Sequence, residues 1–137
     1  MAIEGQTMHV DTSAAEAALR DYAESFEHGD VDRVVSFLHL PCVSISPAGV
    51  IVFQDAAAAR AGFSAGIEQM HRSGYCRTEF VGLVCRVLSS DLVSFSGVAV
   101  RIGAEGHELN RVGFTYMLRS CDHCWKLVCS IIHDPPA

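Results

Sequence analysis

Three groups of side chains in this 137-residue chain stand at spacings that chemistry can use. The first is Cys121-Asp122-His123-Cys124, with the two-residue gap found in thiolate zinc ligands and redox dithiols. A structural zinc needs four ligands; His123 offers a third, and no second pair stands elsewhere in the chain. A redox pair favours a helix N-terminus, where the helix field lowers a thiol pKa. This segment falls instead on an expected hairpin turn, so it reads as two loop thiols, with no metal or other cofactor implied. The second group is His133, at the end of a run in which Trp125, Leu127, Cys129 and Ile131 share its parity. That parity offers the ring to an apolar interior, where an imidazole has a lowered pKa and can accept a proton; the other reading is a strand-end histidine that hydrogen-bonds to backbone or to a partner subunit. The third group is aromatic: Tyr22, Phe26, Phe63, Phe114, Tyr116 and Trp125, among others. Tyr22, Tyr116 and Trp125 carry polar tips that need partners when buried. The chain has no glycine-rich phosphate loop, nucleophile elbow or His-Glu-x-x-His sequence.

The elements that must position these residues follow from periodicity and breakers. Residues 1–10 read as a loose tail. Asp11, Thr12 and Ser13 offer N-caps, with Glu16 at capping-box spacing from Ser13. Ala15, Ala18, Leu19, Tyr22 and Phe26 then recur at helical spacing up to Gly29. Asp30 caps a second helix with an apolar face of Val31, Val34, Val35 and Leu38, ended by Pro41. Runs at 42–46 and 50–53 flank Ser46-Pro47-Ala48-Gly49, a turn sequence, and read as a small hairpin. Asp55 caps a third helix that ends at Gly74. Four long β-prone runs, at 75–88, 92–102, 108–119 and 124–133, are separated by hairpin-length gaps and should form an antiparallel meander. Arg111 and Arg119 fall on the face opposite Phe114, Tyr116 and Leu118, which makes that face an outer surface or a dimer interface.

Composition narrows the function class. Half the residues are hydrophobic and 19% are charged, as expected of one globular α+β domain spanning 1–137. The net charge of −6 gives no support to nucleic acid or an anionic membrane surface as a partner. No apolar run approaches a membrane span, and Met1 to Val10 does not read as a signal peptide. A cytoplasmic location is expected, with the six cysteines reduced and four of them, inside apolar runs, serving as core thiols.

The order of two helices, a hairpin, a helix and four long strands resembles the nuclear transport factor 2-like superfamily. The local match is Tyr22-Ala-Glu-Ser-Phe-Glu-His-Gly-Asp30 followed by Val31 to Leu38, and it extends to the strand Cys124-Trp125-Lys126-Leu127-Val128 and His133-Asp134. The resemblance runs from about residue 12 to 134. It implies a curved antiparallel sheet wrapped around three N-terminal helices, a cone or cystatin-like roll with a hollow interior. The superfamily hosts steroid isomerases, SnoaL-like cyclases, dehydratases and transport factors, so the fold alone assigns no activity.

Comparison with the steroid isomerase branch places Tyr22 at its helix tyrosine, a donor to a carbonyl oxygen deep in the cone. The general base of that branch falls on Ser46, whose hydroxyl is no base at neutral pH. Its second acid falls within residues 112–118, which contain none. An isomerase of that type is therefore rejected. The dehydratase and cyclase branches use histidine and aspartate, for which His39, His133 and Asp134 are the candidates; Asp134, before Pro135-Pro136, is expected to be solvated. The first expectation is thus a small-molecule-binding protein whose largely apolar pocket involves Tyr22, Phe26, Ser46, Phe63, Phe114, Tyr116 and Trp125. It would take an apolar or mixed-polarity ligand and pair as a homodimer through the sheet. The alternatives are a small isomerase, dehydratase or cyclase using Tyr22 and His133, and a non-catalytic interaction module.

Overall fold

The computed structural model describes residues 10–135, so the expected tail lies, apart from Val10, outside the described residues. Helix α1 spans Thr12–Glu27. The Asp11 carboxylate caps it, accepting the amides of Ser13 at 3.0 Å and Ala14 at 3.2 Å. Ala15, Leu19, Tyr22 and Ser25 make its buried stripe. Ser25 lies on that stripe and returns its hydroxyl to the Asp21 carbonyl at 2.9 Å. Gly29, at φ +67°, breaks the helix where a Cβ would be strained. Asp30 then caps α2, Val31–Ser36, through the amide of Arg33.

The second helix is shorter than its periodicity indicates. It stops at Ser36, and Leu38 and Pro41 belong to strand β1, Leu38–Ser46. The backbone leaves the helix directly into sheet pairing: the amide of Leu127 donates to the Phe37 carbonyl at 2.8 Å. Leu38 is buried as expected, but from a strand. Pro41, which has no N–H for a ladder, sits within the irregular stretch between Leu38 and Val43.

Strand β2, Gly49–Phe53, closes the small hairpin, and α3, Ala56–Arg72, follows with Asp55 accepting the Ala58 amide at 2.9 Å. The four long strands are β3 (Tyr75–Ser89), β4 (Leu92–Gly103), β5 (Glu108–Cys121) and β6 (Cys124–His133). They form the expected antiparallel meander. The hairpin joins it because β1 pairs with β6 in parallel, giving one six-stranded sheet in the order β2-β1-β6-β5-β4-β3.

Two irregularities bend this sheet. The pairing of β3 with β4 slips between Val81 and Val84, with Gly82 at φ +65°. Opposite, a Cβ on Gly97 would lie 2.9 Å from the Val81 carbonyl oxygen, so only glycine permits this approach. The second slip lies between Met117 and Leu118 and leaves Val128 of β6 without an opposite residue. One extra residue reverses the parity of the strand. Trp125 and Leu127 pack on the core before the slip; Ser130 is buried and Ile132 packs on the core after it.

The core fills the concave side. Phe95 and Phe114 are fully buried, with Leu19, Val34 and Val93 beside them. Each such side chain contributes roughly 1.5–3 kcal/mol by leaving water. Of the cysteines expected in the core, Cys42 is buried and Cys129 half-buried, but Cys76 and Cys85 are exposed. Both stand on β3, an edge strand with no neighbour on one side. All six thiols are free, and no described helix is long and apolar enough to cross a membrane.

Candidate functional site

The pocket lies where α1 crosses the far half of the sheet. Its roof is Tyr22, Ala23 and Phe26 of α1, with Met70 near the end of α3. Its floor is Thr78 and Phe80 of β3, Ala99 and Arg101 of β4, and Tyr116 of β5. Register explains the hollow. Phe80 stands beside Ala99, so a small residue of β4 lies next to a tall aromatic neighbour, while Gly97 is covered by the β3 bulge. The cavity itself is small, about 50 Å3, and opens to solvent at its mouth.

Aromatic rings hold the walls in a continuous chain. It runs from Phe53 to Phe63 to Phe26 to Tyr22, with centroids 5.3, 6.0 and 5.1 Å apart. From Tyr22 it crosses to Tyr116 at 6.0 Å, then to Phe114 at 4.9 Å and Phe80 at 5.1 Å. Edge-to-face and tilted pairs of this kind contribute about 0.5–1.5 kcal/mol each beyond burial. Polar anchors fix the elements around the pocket. The Glu27 carboxylate at the end of α1 accepts the Thr78 amide at 3.0 Å, and the Thr78 hydroxyl meets the Tyr75 hydroxyl at 2.7 Å. His71 Nε2 lies 2.8 Å from the Phe26 carbonyl oxygen, which ties α3 to α1.

The electrostatics are those of neutral phenols around one cation. Burial pushes the Tyr22 phenol well above its ordinary range, reinforced by Tyr116 and Cys42 and opposed by Arg101. Burial also raises Tyr116, opposed by the Arg101 charge and the Ser130 hydroxyl. Both phenols therefore stay protonated at neutral pH and can donate hydrogen bonds.

A family model described as NTF2-like protein (DUF6841) matches residues 11–135, nearly the whole chain. The chain belongs to this family. No curated protein matches the sequence. Among solved structures, this NTF2-like chain is similar to a protein of unknown function with a cystatin-like fold from Nostoc punctiforme, at TM-score 0.74 and 13% identity over 93% of this chain and 92% of that one. It is also similar to an NTF2-like protein from Cytophaga hutchinsonii, at TM-score 0.69 and 14% identity over 92% and 99% of the two chains. A third is Aln2 from a Streptomyces species, at TM-score 0.73 and 15% identity over 90% and 89%. At these identities the likeness is one of fold.

The residues expected at the site divide into groups. Tyr22, Phe26 and Tyr116 meet in the pocket, and Phe114 lies beneath it against Phe80 and Tyr116. Phe63 stands behind Phe26 as part of the wall. Trp125 lines a smaller apolar recess on the other side of Tyr22, with Leu118 and Leu127. Ser46 is engaged in the hairpin turn, accepting the Ala48 amide at 3.1 Å, and is not among the pocket residues.

His133 takes the strand-end, backbone-bonded place and not the interior one. The parity reversal at Val128 turns it onto the convex face, where Nε2 lies 3.3 Å from the Thr115 hydroxyl and Nδ1 2.8 Å from the Asp134 carbonyl oxygen. Its ring covers Gly113, where an added Cβ would lie 2.5 Å from it. Tyr22 and His133 therefore do not share a cavity. His39 is also elsewhere, 3.3 Å from Arg119 in the groove beside the Cys121–Cys124 turn, and Asp134 is exposed. Sequence reasoning missed Arg101 and Thr78. The signal was present: Val93, Phe95, Gly97, Ala99 and Arg101 share one parity, so Arg101 was due on the core face of β4.

Proposed function

We propose that this NTF2-like chain binds a small, largely apolar molecule in the pocket between α1 and strands β3 to β5. The observation that carries this reading is the hollow itself: Ala99 leaves the floor low while Phe26, Phe80 and Tyr116 stand around it. Apolar walls with a few convergent polar groups are the usual make-up of a ligand site. Binding is favoured over proton-transfer catalysis because the residues lining this pocket include neither a histidine nor a carboxylate. The pair Tyr22 and His133 has lost its base to the convex face. A cytoplasmic setting suits a chain whose thiols are free and mostly exposed.

The test fills the pocket. Ala23 lines it from the half-buried side of α1, so Ala23→Phe occupies space without disturbing the deep core. Binding of small aromatic and aliphatic compounds, followed by calorimetry, should be lost in Ala23→Phe while the melting temperature is kept. Unchanged binding in the filled variant would place the ligand elsewhere.

A second reading concerns the convex face, proposed here as a homodimer interface. Two cross-strand rows stand on it: Val52, Val43, Cys129 and Met117, and Val50, Ile45, Ile131 and Thr115. Val50 and Val52 are 65% and 47% exposed, and the rows leave apolar surface that a second copy of the chain would cover.

A further inference from the structure

We propose that the pocket's ligand is an organic carboxylate, a single anionic head on a small apolar body. The head meets the Arg101 guanidinium, and the body lies against Phe26, Phe80 and Met70. This inference rests on the pocket being a binding site and adds the charge of what it holds.

The argument begins with the chain's ten cations. Seven arginines form ion pairs at 2.6 to 3.7 Å with carboxylates: Arg20, Arg33, Arg60, Arg72, Arg77, Arg111 and Arg119. Arg86 is exposed to water, and Lys126 lines the groove beside the Cys121–Cys124 turn. Arg101 alone of the ten lines the pocket. Among the described residues no carboxylate stands within 4.0 Å of it, in a chain that carries sixteen. Glu27 approaches the same region, but its carboxylate is engaged by the Thr78 amide.

A guanidinium offers five N–H donors in a planar fork and does not lose its charge. Holding one half-buried without a counter-charge is costly, and an oxyanion from outside removes that cost. A carboxylate matches the fork with two parallel hydrogen bonds. The other polar groups here are neutral. Tyr22 and Tyr116 remain phenols, and Thr78 adds a hydroxyl, so each can donate to an oxyanion. One fixed positive charge balances one negative charge, which favours a carboxylate over a phosphate dianion. The apolar walls require the rest of the ligand to be uncharged.

The experiment uses matched pairs: hexanoate with hexanamide, and 3-phenylpropanoate with 3-phenylpropanamide. Each is titrated calorimetrically into the wild-type chain, Arg101→Gln and Arg101→Lys, after circular dichroism has confirmed that each variant melts cooperatively. The wild type should prefer the acids over the amides by roughly ten-fold or more, the scale of one hydrogen bond to a charged group. Arg101→Gln should abolish that preference by weakening the acids alone, and Arg101→Lys, which keeps the charge, should retain part of it. Equal binding of acid and amide to the wild type would overturn the carboxylate assignment and leave the binding pocket standing. A preference that survives in Arg101→Gln would also overturn it. Failure of every acid and amide to bind the wild type would remove both readings.

Discussion

Cys42 shows most directly how burial at one residue is felt by the molecule. Its thiol is 1% exposed, and burial pushes its pKa up to about 12, with Cys129 adding to the shift. In the unfolded chain a thiol ionises near pH ~8.5. A folded pKa raised above the unfolded one gives stability that is complete below the unfolded value and lost as pH rises toward the folded value. Urea unfolding should therefore give a stability that declines between roughly pH 8.5 and 12. Tyr22 and Tyr116, both raised by burial, should steepen the decline above pH ~10. Cys42→Ala should begin less stable but decline less between pH 8.5 and 10, by up to about 1.4 kcal/mol per pH unit. An identical slope in wild type and variant would show that another group carries the effect. Tyr22, Phe26 and Tyr116 were legible at this scale because bulky aromatics at helical or strand spacing must face inward. Arg101 was not, because charge ordinarily marks the outside and its parity was outweighed by its type.

At the scale of elements, bulges decide what alternation alone does not. Parity along β6 puts His133 with Trp125 and Leu127, yet one extra residue at Val128 turns it to the convex side. Nothing in Cys124-Trp125-Lys126-Leu127-Val128 marks that slip, since the sheet's bend and the burial of Ser130 and Ile132 select it. A double-mutant cycle reads the outcome. Gly113→Ala should cost about 1–3 kcal/mol by overpacking against the His133 ring and the Asp134 carbonyl. His133→Ala in that background should recover the ring's share, with a coupling of at least about 0.5 kcal/mol. Additive costs would mean that His133 does not lie over Gly113. The end of α2 teaches the same lesson: Leu38 satisfies a helical apolar pattern, but pairing beside β6 draws it into β1 at the same burial.

For the whole molecule, the sheet has two faces with different work. The concave side closes over the aromatic chain and the pocket. The convex side presents the rows headed by Val50 and Val52, the proposed homodimer interface. Light scattering on the purified chain should give twice the monomer mass. Ile131→Glu, in the middle of one row, should return it to the monomer with its circular dichroism unchanged. A monomeric wild type would leave the convex face without the proposed partner. Ala23→Phe belongs to the same scale, since loss of ligand without loss of dimer would show that the two faces act independently.

Local sequence was enough for the element order, the three aspartate caps at Asp11, Asp30 and Asp55, and the antiparallel meander. These depend on short-range sterics, capping and periodicity, all written within a few residues. Three features needed the tertiary structure: the parallel union of β1 with β6, the side of the sheet that His133 occupies, and the meeting of Arg101 with Tyr22, Thr78 and Tyr116. Each depends on register between segments far apart in the chain. A slip of a single residue reverses every side chain beyond it, and no local pattern records where the slip falls.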